Sequence, residues 1–468
     1  MPIKIEGVTH DSPDWRHINW TSLITIVIAI PISIVYVLNR FFLGLSLTHV
    51  SLWLLVLIVF IVTILPVFAL FVVFRSWFMV KLPPAKDIEK YFSFNDKTVR
   101  SWFGSSLSKT VPISHFHDAY MDGKIDIKQD LLHILNNRSS FADFRLTFAQ
   151  LKFFFVHLIP EMLNHSRSMD RAQVTNHYNR GNDFYNAFLG ETMIYTSAFF
   201  KNPNDSLEVA QTQKLDLVCR KLHLKKGSRH LDLGCGWGTL VCHAAKQYGA
   251  NSIGITLANE QVKHAEVLFR DSNVANQSSK DGWAKAVCCD YRDTPREHRY
   301  DAISCLEMAE HVGVRNFSSF LRQVYDMLED DGLFYIQIAG LRRSWQFEDL
   351  NWGLFMGKYV FPGADASMPV GWVINQLEEN GFEIHSLENV GIHYSATINH
   401  WYDNWQSNRE YIIKKYGPRW FRQWNWFLAW SVIAPGQGSA TCHQIMCYKN
   451  TSSFNRKIFI GEQRSFDY

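Results

Sequence analysis

The sequence predicts an α/β domain, a mostly parallel sheet with helices on both faces, preceded by a two-helix transmembrane hairpin. Three observations carry that expectation: apolar strands alternating with helices between residues 207 and 338, a glycine-rich turn at 231–240, and two uncharged apolar runs at 21–38 and 52–74. Strand and helix in alternation signify parallel βαβ units. Ligands of such sheets bind at the carboxyl ends of the strands.

Residues 1–20 are polar and mixed in charge, with Asp11, Asp14 and Arg16, and lack the basic start of a signal peptide. The two apolar runs each approach the ~20 residues a helix needs to cross a bilayer. Pro31 and Pro66 keep a re-entrant hairpin open as an alternative. Arg75, Lys81 and Lys86 follow the second run while the turn holds Arg40, so the positive-inside rule puts both ends in the cytosol. Residues 79–165 open on Leu82-Pro83-Pro84 and then carry aromatic residues at helical spacing. Packing beneath the next domain is their expected role, because 146–159 holds one Lys to meet lipid headgroups. The chain divides into a tail (1–20), the hairpin (21–78), a mainly helical connecting region (79–165), an α/β domain (166–450) and a tail (451–468).

A net charge of +3 with no arginine stripe excludes phosphate-driven nucleic-acid binding. The eight cysteines show no C-x-x-C or Cys/His spacing suited to a metal, so buried free thiols are expected.

Within the α/β domain, a helix is expected over 207–224, strands over 229–233, 252–256, 286–289 and 302–306, and a fifth over 333–338 after an Asp330-Asp331-Gly332 turn. The glycine turn, Leu231-Asp232-Leu233-Gly234-Cys235-Gly236-Trp237-Gly238-Thr239-Leu240, joins the first strand to a helix over 239–248. Its G-x-G-x-G spacing departs from the dinucleotide fingerprint G-x-G-x-x-G and fits a loop for S-adenosylmethionine (SAM) better. On the loop alone, NAD(P) binding and a purely structural turn stay open. Thr256, Asp290 and the segment from Glu307 to Glu310 also fall at strand ends.

Further blocks agree with this loop. His177-Tyr178-Asn179-Arg180-Gly181-Asn182-Asp183-Phe184-Tyr185, Met193-Ile194-Tyr195-Thr196-Ser197, Gly254-Ile255-Thr256-Leu257-Ala258-Asn259-Glu260-Gln261 and Asp290-Tyr291-Arg292-Asp293 stand around it in a fixed order. Over residues 165–450 the chain resembles the cyclopropane fatty acid synthase and mycolic acid methyltransferase family, whose members transfer a methyl group from SAM to a lipid double bond. A Rossmann-like fold follows from that resemblance. Narrower blocks, Glu307-Met308-Ala309-Glu310-His311-Val312-Gly313-Val314-Arg315, Gln337-Ile338-Ala339-Gly340-Leu341, Tyr359-Val360-Phe361-Pro362-Gly363-Ala364-Asp365-Ala366-Ser367 and Gly391-Ile392-His393-Tyr394-Ser395-Ala396-Thr397, resemble the fungal sphingolipid C9-methyltransferases. That subgroup also carries two membrane helices. The resemblance implies a sphingolipid substrate, a membrane-integral protein and an endoplasmic reticulum location with a cytosolic catalytic domain.

Cofactor contacts are expected from Tyr195, Thr196, Asp232, Leu233, Gly234, Cys235, Gly236, Trp237, Gly238, Thr239, Leu240, Thr256, Leu257, Ala258, Asn259, Glu260, Gln261, Tyr291 and Arg292. An alkene attacking an activated methyl leaves a carbocation, which a fixed carboxylate stabilises. Glu310 is the candidate, with Tyr394 as a second polar group; Glu307, one turn earlier if the segment is helical, is expected to cap that helix and face away. The resemblance also implies a bicarbonate held by a glutamate, a tyrosine, a histidine and a cysteine-containing segment, matched here by Glu310, Tyr394, Gln337 and Ser197. Two of the four differ, which argues against bicarbonate and against ring closure, and favours methylation that restores the double bond. The rival within the family is a cyclopropane synthase or methyltransferase acting on phospholipid acyl chains. Outside it stand an NAD(P) oxidoreductase, which wants an acidic residue where the second strand ends in Thr256-Leu257, and a non-catalytic scaffold. Trp401, Trp405, Trp420, Trp424, Trp426 and Trp430 recur at helical spacing, a core stripe by default. Some of these rings are expected to line an apolar tunnel for the lipid chain.

Overall fold

The computed structural model describes residues 86–158, 180–296, 299–362, 368–452 and 456–460, with residue 160 and scattered positions before 86. Strands β1 (Arg229–Leu233), β2 (Asn251–Thr256), β3 (Trp283–Cys288), β4 (Tyr300–Leu306), β5 (Leu328–Leu341), β6 (Phe382–Asn389) and β7 (Ala440–Lys449) form one sheet in the order β6-β7-β5-β4-β1-β2-β3. The five strands from β3 to β5 pair in parallel, and β7 runs antiparallel between β5 and β6. Central β4 is buried along nearly its whole length, as a parallel strand covered on both faces must be.

Helices α1 (Ile113–Met121), α2 (Asn182–Leu189), α3 (Leu207–Lys221), α4 (Thr239–Tyr248), α5 (Asn259–Asp271), α6 (Phe317–Met327), α7 (Phe347–Phe355), α8 (Val370–Glu379), α9 (Gly391–Ser407), α10 (Arg409–Tyr416) and α11 (Pro418–Gly436) are the helices of eight or more residues among the described residues. Alternate residues of β4 separate the two faces. Ile303 and Cys305 pack with Phe317 and Phe320 of α6 and Leu377 of α8, whereas Ala302 and Leu306 pack with Val218 of α3 and Ala244 of α4. The side-chain period of a strand is two, so one strand feeds both cores.

β1 and α4 have the bounds the sequence predicts, while β2 and β3 begin at Asn251 and Trp283, ahead of the expected 252 and 286. The turn expected at Asp330-Asp331-Gly332 lies inside β5 instead. Tyr300 pairs with Leu328 and Ala302 with Leu333, so the extra residues of β5 bulge out and the strand resumes.

A second core joins the connecting region to the C-terminal helices. Phe92, Phe116 and Phe141 pack with Phe184 of α2 and with Trp424 and Trp426 of α11. Arg138, fully buried, ties these layers together: it donates to Glu348 of α7 at 2.7 Å and to Gln437, just beyond α11, at 2.8 Å. A buried guanidinium is tolerable only when paired in this way.

The transmembrane hairpin is corrected. Among the described residues no helix is long and apolar enough to cross a membrane. Of the two apolar runs, residues 32–37, 54, 73 and 74 are described, and the rest lie outside the described residues. A helix must carry about 20 apolar residues in succession to cross the hydrocarbon core, and no described helix does. The membrane-integral, two-helix multi-pass assignment, with its cytosolic orientation in the endoplasmic reticulum, falls with the hairpin. Where the second run ends, Ser76 Oγ accepts from the Leu146 N–H at 3.1 Å and the Trp77 indole donates to the Leu146 carbonyl at 3.0 Å.

Candidate active site

Asp232 comes near the carboxyl end of β1, and a relay of buried polar groups fixes its direction. Ser304 of β4 donates to Asp232 Oδ1 at 2.6 Å, His230 Nε2 meets Ser304 Oγ at 2.9 Å, and His230 Nδ1 meets Ser252 Oγ of β2 at 2.7 Å. Because the Ser304 proton is committed to the carboxylate, His230 donates from Nε2 and accepts at Nδ1. Burial pushes the Asp232 carboxyl up to about 6 and holds His230 neutral, its pKa down to about 3.

The glycine turn then opens a cleft. Gly234 has φ +82°, and a Cβ there would stand 2.5 Å from Met308 Cγ, so no larger residue fits. At Gly236, φ +53°, a Cβ would meet nothing within 4 Å: the backbone faces open space. The cleft holds about 1130 Å³. Of the expected cofactor residues, Tyr195, Thr196, Asp232, Gly234, Cys235, Gly236, Trp237, Thr239, Leu240, Thr256, Leu257, Gln261, Tyr291 and Arg292 line it. Leu233, Gly238, Ala258, Asn259 and Glu260 do not. Leu233 is fully buried, Gly238 and Ala258 are the N-cap residues of α4 and α5, and Glu260 pairs with Lys263 at 2.6 Å. Thr256 Oγ1 donates to Gln261 Oε1 at 2.7 Å, and Asp290 grips the Arg292 guanidinium at 2.8 and 2.6 Å.

Lys214 is a cleft residue that sequence reasoning missed. It sits on the buried face of α3, donates to Thr196 Oγ1 at 2.9 Å, and its ammonium is lowered to about 8 by burial, against the pull of Glu307 and Asp232. The available signal was a lysine in the apolar stripe of an amphipathic helix, where a charge is rarely left without purpose.

A second cavity of about 840 Å³ lies against the first. Its walls are Trp352 and Met356, Phe361, Ile398 and Trp401 of α9, and Phe427 of α11, with Glu310 and Tyr394 among them. Tyr195, Glu307 and His311 line both cavities, so the two meet there. The Tyr195 ring packs on Trp401 at 5.4 Å and on Phe361 at 6.1 Å. Trp405, one turn after Trp401, lines neither cavity; it stacks on Phe421 in the core. Glu310 Oε1 accepts from the Ala339 N–H at 2.6 Å. Its Oε2, Ser431 Oγ and the indole N–H groups of Trp352 and Trp401 are buried without a hydrogen-bond partner among the described residues, and all four residues border this cavity.

Glu307 does not face away. Residues 309–311 form a single 3₁₀ turn and Glu307 itself has φ +51°, so the helical spacing assumed for 307–310 does not exist. Its Oε1 accepts from the Ser197 N–H at 2.7 Å, from Gln337 Nε2 at 2.7 Å and from the Cys442 thiol at 3.7 Å. Ser197 and Gln337 are both fully buried and line neither cavity; they reach the site through Glu307.

Residues 165–445 match the model of the mycolic acid cyclopropane synthetase family. The chain belongs to that family. The "Sphingolipid C9-methyltransferase" of Komagataella phaffii is 49% identical over 81% of this chain and 78% of its own length. The protein of the same name in Candida albicans is 43% identical over 81% and 75%. Among solved structures, the mycolic acid cyclopropane synthase CmaA1 complexed with SAH and CTAB matches at a TM-score of 0.55 and 25% identity, over 60% of this chain and 98% of that one. A coclaurine N-methyltransferase bound to SAH, 16% identical at a TM-score of 0.53 over 72% of this chain and 98% of that one, shares the fold. This member of the family is a SAM-dependent methyltransferase, and SAM is its methyl donor.

Proposed function

We propose that the chain methylates C9 of the sphingoid base of ceramide or glucosylceramide, a 4,8-diene, giving the 9-methyl diene with the 8,9 double bond restored. The observation that carries this reading is the junction at Tyr195, Glu307 and His311, where a cofactor cleft carrying Asp232, Lys214 and Gln261 opens against a more apolar cavity. The names and identities of the fungal relatives supply the acceptor. SAM supplies an activated methyl group. Asp232 is suited to its ammonium, Lys214 to its carboxylate, and Gln261, Tyr291 and Arg292 to the nucleoside, while the glycine turn lets the backbone approach. The Tyr195 ring borders both cavities and would favour a cation such as a sulfonium at their junction.

On the other side, the apolar walls exclude water from a carbocation. Glu310 and Tyr394 border this cavity, and their oxygens are suited to stabilise a positive charge arising there. The full-length protein, given methyl-labelled SAM, should methylate a 4,8-diene ceramide or glucosylceramide and leave an unsaturated phosphatidylcholine unlabelled. Label in the phosphatidylcholine alone, as a cyclopropane or a methyl branch, would refute the sphingolipid reading.

A further inference from the structure

The positions that the family resemblance assigns to a bicarbonate do not fit one here. The Ser197 N–H and the Gln337 amide, which would face such an anion, both donate to Glu307 Oε1. Gln444 Nε2 donates to Gln337 Oε1 at 3.2 Å and fixes which way that amide points. A second anion against Glu307, in a site removed from water, would set like charges side by side.

We propose that the Glu307 carboxylate is the base of the reaction, built into the chain in the place of a free anion, and that it takes the proton from the carbon that has just received the methyl group. This rests on the alkene methylation proposed above. Glu307 borders both cavities, whereas Glu310 borders the acceptor cavity alone. The two buried carboxyls cannot share a negative charge equally. Three donors on one oxygen and the Lys214 ammonium oppose the upward push of burial on Glu307; Glu310 holds one donor and is pushed up to about 8 by burial and by Glu307. The charge therefore rests on Glu307. Its left-handed backbone, φ +51°, is a strained conformation for a side chain of this size, of the kind that persists at functional sites.

The step balances. The alkene π pair forms the new carbon–carbon bond to the methyl of SAM as the carbon–sulfur bond breaks, leaving S-adenosylhomocysteine and a cation on the neighbouring carbon. The C–H pair of the methylated carbon then becomes the new π bond, and the proton passes to Glu307.

The test uses the full-length enzyme with the 4,8-diene sphingolipid. Glu307→Gln should lower kcat by about 10²–10⁴-fold, the usual weight of a general base, with S-adenosylhomocysteine affinity by calorimetry changed less than about threefold. Wild-type turnover in carbonate-free buffer should not respond to added bicarbonate. Glu307→Gly, which the left-handed backbone accommodates, should be as slow as the glutamine variant and gain turnover when bicarbonate is added. Stimulation of the wild type by bicarbonate, or near wild-type turnover in either variant, overturns the proposal. A wild type silent on the diene but active on another lipid strikes the acceptor instead, and the same comparison on that lipid then decides the base.

Discussion

The two cavities that meet at Glu307 are built in opposite ways. The cofactor cleft takes much of its wall from loops that leave β1, β2, β3 and β4, each a few consecutive residues long. Trp352, Phe361, Trp401 and Phe427 of the acceptor cavity come from α7, the segment after it, α9 and α11, and are neighbours through packing alone. A strand end delivers adjacent residues to one ligand, so a short motif and a piece of the site are the same thing. A helix bundle delivers one residue per turn, and its lining is decided by which partner each face meets.

The tryptophans of α9 offer the largest test of that difference. Trp401 and Trp405 are both almost fully buried, one turn apart, yet only Trp401 borders the cavity. Trp405→Ala should cost about 3–5 kcal/mol of stability, measured by denaturant unfolding, and leave the lipid chain-length preference of the folded fraction unchanged. Trp401→Ala should cost less, because one side of the ring already faces open space, and should raise the lipid KM or admit longer chains. If Trp405→Ala also shifts chain-length preference, the cavity and the core behind it act as one unit and the comparison fails.

Glu310 tests the acceptor cavity from its polar side. The unfolded chain ionises this carboxyl near 4.5, whereas burial, then Glu307, keeps it protonated in the folded protein up to about 8. Between those values the folded state holds the extra proton, so this group makes stability fall as pH rises from about 4.5 to about 8 and contributes no slope beyond. The penalty at pH 7 is on the order of 3 kcal/mol. Glu310→Gln should therefore flatten the stability profile in that window and stabilise the protein at neutral pH, while kcat falls about 10²-fold. A variant that loses turnover without changing the pH profile would show that Glu310 is not the buried titrating group.

What was legible in the sequence follows the same division. The strand that carries Asp232 and the cleft residues from Gly234 to Leu240 stand in one motif, read directly from glycine spacing. Trp401 and Trp405 could not be separated, because at i and i+4 they share a helix face and only the partner of that face distinguishes lining from core. Glu307 was misread for a different reason: periodicity assumes a regular helix, and a left-handed residue before a single 3₁₀ turn breaks the count. The hairpin rested on hydropathy alone, and among the described residues no helix is long and apolar enough to cross a membrane.

Asn182 provides the smallest and most selective test, since it asks how local the cofactor cleft is. It is the first residue of α2, and its Oδ1 accepts from the Trp237 indole at 2.8 Å, linking the block at 182 to the glycine turn. The Trp237 ring also packs on Tyr185 at 5.1 Å, so apolar contact holds it as well. Asn182→Ala removes one hydrogen bond of about 0.5–1.5 kcal/mol, which is about a twofold to tenfold rise in the KM for SAM. The lipid KM should not move, because Trp237 borders the cofactor cleft and not the acceptor cavity. Steady-state kinetics with each substrate varied in turn checks this: a matching rise in the lipid KM would mean that the two cavities open and close together, and that their separate construction does not make them separate in function.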